Sequence, residues 1–218
     1  MKRLLPFCLF ALSLFSCEMD NYEKGEGKYS QMLADFADMT VDAQKQGISF
    51  VTDDGDAYRF EEPYTAKWIQ TADTTYRTII YYNKVKNAQA KVIAAGTVPT
   101  LIPHEHWKMK EQPEDPVGFE SAWLSKSGKY LNMGLLLKSG YIDDEEGLHT
   151  IGLVQDTVLV NGDQTRTAYY RFLHDQGDTP EYYTNRKYIS ILVPQERPDT
   201  IRLTITTYEG VIERQFPL

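Results

Sequence analysis

Thr74-Thr75-Tyr76-Arg77-Thr78-Ile79-Ile80-Tyr81-Tyr82-Asn83-Lys84-Val85 is the run from which the fold is read. Tyr76, Thr78, Ile80 and Tyr82 fall on one face of an extended chain, and Arg77, Ile79 and Tyr81 fall on the other. Aromatic and β-branched residues at period two make this the most strand-like segment of the protein. Asn87 and Ala88 then reverse the chain into a second run, Gln89 to Thr97. Upstream, Ile48-Ser49-Phe50-Val51-Thr52 and Ala57-Tyr58-Arg59-Phe60 flank Asp53-Asp54-Gly55-Asp56. Aspartate before glycine between two β runs is a hairpin signal, because the tight turn needs positive φ. Residues Tyr29 to Asp42 carry apolar side chains on both alternations, which predicts a long first strand with a bulge where the phase switches. Residues 29–97 thus hold five strands, the count of a small OB-type barrel.

Working outward toward the C-terminus, residues 98–117 hold Pro99, Pro103, Pro113 and Pro116 among polar residues and read as a linker between domains. Residues 118–218 hold seven further β runs punctuated by turn signals such as Gly128, Gly140, Asn161-Gly162 and Glu209-Gly210. Seven strands at that spacing predict a β-sandwich. Tyr (15), Phe (9) and Trp (3) are plentiful alongside Thr, Ile and Val, so the expected class is all-β, with no helix longer than about two turns.

Residues 1–16 have the form of a secretory signal: Lys2 and Arg3, then an apolar run from Leu4 to Phe15. That run is well short of the roughly 20 residues a spanning helix needs. Leu14-Phe15-Ser16-Cys17 resembles a lipobox, with Phe15 bulkier than the pattern prefers. Cys17 is accordingly the expected lipidation site, and residues 17–28 the tether. Several buried acyl methylenes at about 0.8 kcal/mol each make a stable anchor. The acidic start of the tether, Glu18-Met19-Asp20-Asn21-Tyr22-Glu23, is similar to signals that carry lipoproteins of some Gram-negative anaerobes to the outer face of the outer membrane. The expected location is therefore the cell envelope, at the outer membrane. Loss of Lys2 and Arg3 makes a formal charge of −8 more negative by two. Such a chain lacks the basic footprint that nucleic acid requires. Cys8 leaves with the signal and Cys17 takes lipid, so no disulfide and no thiolate metal site is expected.

The chain as a whole resembles the NigD-like family of lipoproteins. Phe50-Val51-Thr52-Asp53-Asp54-Gly55-Asp56, the strand Tyr76 to Val85, and the closing hairpin from Asp199-Thr200-Ile201 to Tyr208-Glu209-Gly210 carry the resemblance. It implies a lipidated N-terminus, an OB-type domain and a C-terminal β-sandwich. The family is named for a protein encoded beside a bacteriocin and proposed as its immunity factor. The resemblance supplies no catalytic or binding residues.

Chemical motifs are sparse. His104 and His106 would point the same way on a strand, a possible start to a zinc or copper site, but they sit in the linker. Asp53, Asp54 and Asp56, and the run Asp143, Asp144, Glu145 and Glu146, could offer oxygens to calcium, yet neither has the spacing of an EF-hand loop. Both read as acidic turns, and neither metal nor cofactor is expected. No Gly-x-Ser-x-Gly, His-Glu-x-x-His or phosphate-cradling loop occurs. His149 and His174 fall on separate strands. The adjacent pairs Tyr81-Tyr82, Tyr169-Tyr170 and Tyr182-Tyr183 offer more, since one member of each faces outward if the other faces the core. Outward tyrosines stack on sugars or protein surfaces. The expected function is a non-enzymatic binding protein for a glycan, a peptide or an envelope protein. Bacteriocin immunity is the alternative, and a carboxylate-based hydrolase of envelope polymers stands behind both. Oligomeric state and ligand are not legible.

Overall fold

The structure, a computed structural model, describes residues 31–142 and 145–218. The signal, Cys17, the tether, Asp143 and Asp144 lie outside the described residues. Among the described residues, no helix is long and apolar enough to cross a membrane.

Five strands close into a barrel: β1 (Leu33–Val41), β2 (Gly47–Thr52), β3 (Ala57–Tyr64), β4 (Thr74–Lys84) and β5 (Gln89–Thr97), in the order β1-β2-β3-β5-β4. β4 returns to β1, from Leu33 opposite Tyr82 to Val41 opposite Thr74. β3 meets β5 in parallel at Arg59–Gln89 and Phe60–Ala90. That circuit is the OB-type barrel expected from the strand count. Its interior is filled by Ala37, Met39, Val41, Phe50, Phe60, Ile80 and Tyr82. Gly47 is required there, because a Cβ would stand 2.8 Å from Met39 Sδ and 2.9 Å from Phe60 Cε2. The segment between β3 and β4 plugs one end: Ile69 is buried, and the Tyr76 hydroxyl accepts the backbone N–H groups of Gln70 (3.1 Å) and Thr71 (2.9 Å). The Thr71 side chain, together with those backbone donors, lowers the Tyr76 pKa from its usual value.

The bulge expected midway along the first strand is absent. Pairing with β4 is continuous, and with β2 it shifts only at Thr40/Val41. The apolar residues on both alternations have a different cause, since Ala37, Met39 and Val41 fill the barrel while Phe36 on the opposite face packs edge-on against Trp123 and Tyr188 of the second module.

Residues 98–117 are likewise not a free linker. They supply β6 (Thr100–Leu101), β7 (His104–Glu105) and a 3₁₀ turn (His106–Lys108). After them come β8 (Gly118–Leu124), β9 (Tyr130–Ser139), a small hairpin of β10 (Tyr141–Ile142) and β11 (Glu145–Glu146), then β12 (Thr150–Val160), β13 (Arg166–Asp175), β14 (Tyr183–Leu192), β15 (Thr200–Thr207) and β16 (Gly210–Pro217). Two sheets result, β6-β14-β9-β8 and β16-β15-β13-β12-β7. Their core includes Leu131, Met133, Leu135, Leu153, Tyr170, Phe172, Ile189, Ile201 and Leu203, giving the sandwich-like arrangement expected. The proline-rich segment is held at its edges through carbonyls, which proline keeps: Pro99 accepts Ser190 N–H (2.9 Å) and Pro113 accepts His174 N–H (3.0 Å). Val98 and Val117, at its two ends, are buried.

The outward face of β4 meets the outer face of the four-stranded sheet. Arg77 forks onto both Asp53 oxygens at 2.7 Å, and also donates to Asn132 Oδ1 (3.0 Å) and, through Nε, to Ser190 Oγ (3.1 Å). Its guanidinium lies 3.9 Å from the Tyr130 ring centroid. Asn132 Nδ2 and the Ser190 hydroxyl close the network by donating to Asp53 Oδ2 and Asn132 Oδ1, each at 2.7 Å. Around it, Lys126 pairs with Asp54 and Lys129 with Asp38.

Candidate functional site

The tyrosine pairs alternate as strand geometry demands, but not all remain candidates for binding. Tyr82 and Tyr170 are 1% exposed and belong to the barrel and sandwich cores. Burial, reinforced by the Asp35 carboxylate that accepts its hydroxyl at 2.9 Å, pushes the Tyr82 pKa up. Burial alone pushes that of Tyr170 to about 12. Tyr81 and Tyr169 are half-buried, on the barrel and on the five-stranded sheet. Tyr182, 77% exposed, and Tyr183 stand together where β14 begins, with Tyr183 6.0 Å from the exposed Tyr141 ring. The three outward sets therefore occupy three different sheets.

The first acidic turn is committed to cations and turn bonds: Asp53 to Arg77, Asp54 to Lys126, and Asp56 to Lys84 and the Tyr58 hydroxyl. Its Gly55 has φ +90°, as the hairpin reading requires. His104 lies in β7 and His106 in the 3₁₀ turn, both exposed, and no group of three metal-ligating side chains occurs among the described residues.

The concavity with most chemical character is one the sequence did not reveal. A groove of about 530 Å³ opens where barrel and sandwich meet. Ile79 and Thr97 to Pro99 form one wall, Gly147 to His149 with Ile151 the other, and Leu135, Leu137 and Ile189 the floor. Arg186, Lys187 and Tyr188 run along it, and among the described residues no carboxylate lines it. At its lip Leu148 is 88% exposed, beside a hairpin carrying the exposed Tyr141 and Ile142. A site of this volume, apolar with a few polar groups, has the dimensions of a small-molecule or side-chain pocket.

One wall is held by a hydrogen-bonded histidine pair. The rings of His149 and His174 stack 5.1 Å apart, with His149 Nδ1 and His174 Nε2 at 2.9 Å. His174 Nδ1 faces the Asp115 carbonyl at 3.1 Å, and a carbonyl only accepts, so Nδ1 carries the proton in the neutral ring and Nε2 accepts from His149 Nδ1–H. His149 Nε2 is left as acceptor for the Ser139 hydroxyl at 3.3 Å. A base aimed at a serine is the order found in nucleophilic catalysis. Ser139 is 1% exposed and outside the groove lining, so a substrate carbonyl has no approach to it; the chain orients the wall. Sequence spacing alone does not pair them, because the hairpin turns over Asn161 to Thr165 and sets His174 opposite Ile151.

With the geometry in view, solved structures of the same architecture can be compared. No protein-family model and no curated protein sequence matches the chain. A NigD-like immunity protein from Bacteroides caccae superposes with a TM-score of 0.66 at 22% identity, over 85% of this chain and 96% of its own. This chain has the NigD-like fold. The resemblance read from the Phe50–Asp56 hairpin and the Tyr76–Val85 strand is borne out at that level. A protein from Parabacteroides distasonis named as toxin-related shares the NigD-like fold with a TM-score of 0.65 at 17% identity, over 86% of this chain and 93% of its own. So does a protein from Bacteroides fragilis named as a lipoprotein, with a TM-score of 0.59 at 13% identity, over 85% of this chain and 96% of its own.

Proposed function

We propose that the chain is a non-enzymatic binding protein of the bacterial cell envelope, tethered to the outer membrane through lipid on Cys17, that captures an apolar portion of its ligand in the groove between barrel and sandwich. The groove itself carries this reading: about 530 Å³ of mainly apolar lining, with Arg186 and Lys187 beside it and exposed Leu148 at its lip. The tether reading is supported by the Ser16-Cys17 signal and by the shared fold of a protein named as a lipoprotein. The test is a binding screen of the soluble chain from Glu18 onward, which contains both cores, against envelope glycans, peptides and fatty acids. Thr97→Trp, at an exposed position, should block whatever binds by filling the groove from its rim without disturbing either core. Ligands that bind the Thr97→Trp chain undiminished would remove the groove from the reading.

Immunity to a bacteriocin is the second reading, favoured by the fold shared with a protein named as an immunity protein. It is a special case of the first, with a toxin as the captured ligand. Deletion of the gene should then sensitise cells to toxins of related strains, and unchanged sensitivity would count against it.

A further inference from the structure

We infer that the ligand of this groove is an extended peptide that adds as a strand to the open edge of β14; the inference rests on the groove being the binding site. β14 pairs with β9 along its whole length without a register shift. On its other side, among the described strands, it meets only β6, at Ser190 and Ile191. Beside the main-chain groups of Thr184, Arg186 and Tyr188 no described strand covers that edge. Two hydrogen bonds fix which groups point outward. Ser190 N–H donates away from β9, to Pro99 (2.9 Å), whereas Val193 N–H donates toward it, to Lys129 (3.0 Å). Because main-chain groups alternate along a strand, those of Thr184, Arg186 and Tyr188 point the same way as Ser190, out of the sheet. At roughly 3.3 Å per residue they present a row about 13 Å long from first to last.

The groove lies along this row and wraps it. Its lining contains residues from both faces of β14: Arg186 and Tyr188 with Ile79 on the barrel side, Lys187 and Ile189 with Leu135 on the core side. A strand laid on the edge would send alternate side chains into these two halves, the arrangement by which added strands gain affinity from the main chain and specificity from the pockets. β6 already makes the start of such a strand, running parallel to β14, before the chain behind it turns off through Pro99 and Val98 into the barrel. The incoming peptide would continue the line that β6 abandons. Charge narrows its composition. In a chain of formal charge −8, this groove has two cations and, among the described residues, no carboxylate in its lining. Arg186 is paired with Glu120, while Lys187 has no ion pair among the described residues. The fitting partner is therefore an acidic peptide with bulky apolar residues at alternate positions.

Amide hydrogen exchange on the soluble chain from Glu18 reads the edge directly. In the free protein the Arg186 and Tyr188 amides should exchange fast while those of Lys187 and Ile189, bonded to β9, are slow. Slow exchange at all four would mean the edge is already covered and would overturn the inference. A display library of ten-residue peptides is then selected on the chain, with a fatty-acid panel in parallel. Selected peptides should be acidic with alternating apolar residues and should protect Arg186 and Tyr188. Their binding should fall about tenfold in Arg186→Pro, which removes one outward N–H that an edge strand can spare. Lys187→Glu, which leaves the backbone intact, should weaken them similarly. Fatty acids that bind in the groove while no peptide does would overturn the peptide inference and leave the groove reading standing. Binding of neither would end both. Chains that pair edge to edge with a second copy would also refute it.

Discussion

Replacing Arg77 by alanine should lower stability more than any other single change at the junction of the two modules. The guanidinium makes two 2.7 Å bonds to Asp53, one to Asn132 and one to Ser190, with its side chain 4% exposed and that of Asp53 15% exposed. Removing one partner of such a pair typically costs about 3–5 kcal/mol, because the other charge stays buried without compensation. Asp53 would retain the Asn132 amide at 2.7 Å, which moves the ionic part toward the lower end. Loss of the contact with the Tyr130 ring, at 3.9 Å, adds about 1 kcal/mol. A total near 4 kcal/mol corresponds to a fall in Tm of about 8–16 °C for a domain of this size. Arg77→Lys should recover less than half, since an ammonium cannot fork onto the carboxylate and also reach Ser190. Urea melts of Arg77→Ala, Asp53→Ala and the double variant supply the check. The double variant should lose much less than the two singles together, by about 2 kcal/mol or more. Additive losses, or a loss under about 1 kcal/mol for Arg77→Ala, would refute the reading of this network as a coupled buried unit.

Other expectations follow from single contacts. Tyr170 has a buried hydroxyl without a hydrogen-bond partner among the described residues, so Tyr170→Phe should be neutral or stabilise by up to about 1 kcal/mol in chemical denaturation. Its pKa is raised to about 12 in the folded chain, from an ordinary value of 10.0. The unfolded chain therefore releases that proton first, and stability should decline as pH rises from 10 to about 12. The Phe variant should show a shallower alkaline decline between pH 9 and 11.5; an identical slope would count against the burial argument. Gly47→Ala should cost about 1–3 kcal/mol, because Met39 and Phe60 must move to admit the new methyl. A thermal melt unchanged within a degree would show that the barrel yields there.

Most of the long strands were legible because they keep a period of two and end at a turn with its own chemistry: Asp53-Asp54-Gly55, Asn161-Gly162 and Glu209-Gly210 all mark hairpins. The bulge expected in the first strand is not there because a strand apolar on both faces has two explanations, a bulge or a second module, and only the position of Trp123 and Tyr188 against Phe36 decides between them. Residues 98–117 were misread because prolines signal lost N–H donors, whereas Pro99 and Pro113 act here through their carbonyls. The groove had no local signal, since Ile79, Leu135, His149 and Tyr188 belong to four separate segments that only the tertiary fold collects. Tyr182 kept its outward role while Tyr82 and Tyr170 lost theirs, a distinction set by which sheet face meets a core.

The way the chain crosses from β6 to β7 also bears on how such a protein is assembled and inherited. Thr100 and Leu101 join one sheet of the sandwich, and His104 and Glu105 join the other. The seam between the modules therefore lies between Val98, whose N–H still donates to Arg77 of β4 at 2.9 Å, and Pro99, and everything after it belongs to the sandwich. A recombination event that exchanged barrels among related genes would leave a complete sandwich only if it broke the gene there. One placed among the prolines would deliver a sandwich missing an edge strand from one or both sheets, with the surviving edges exposed to pair with other chains.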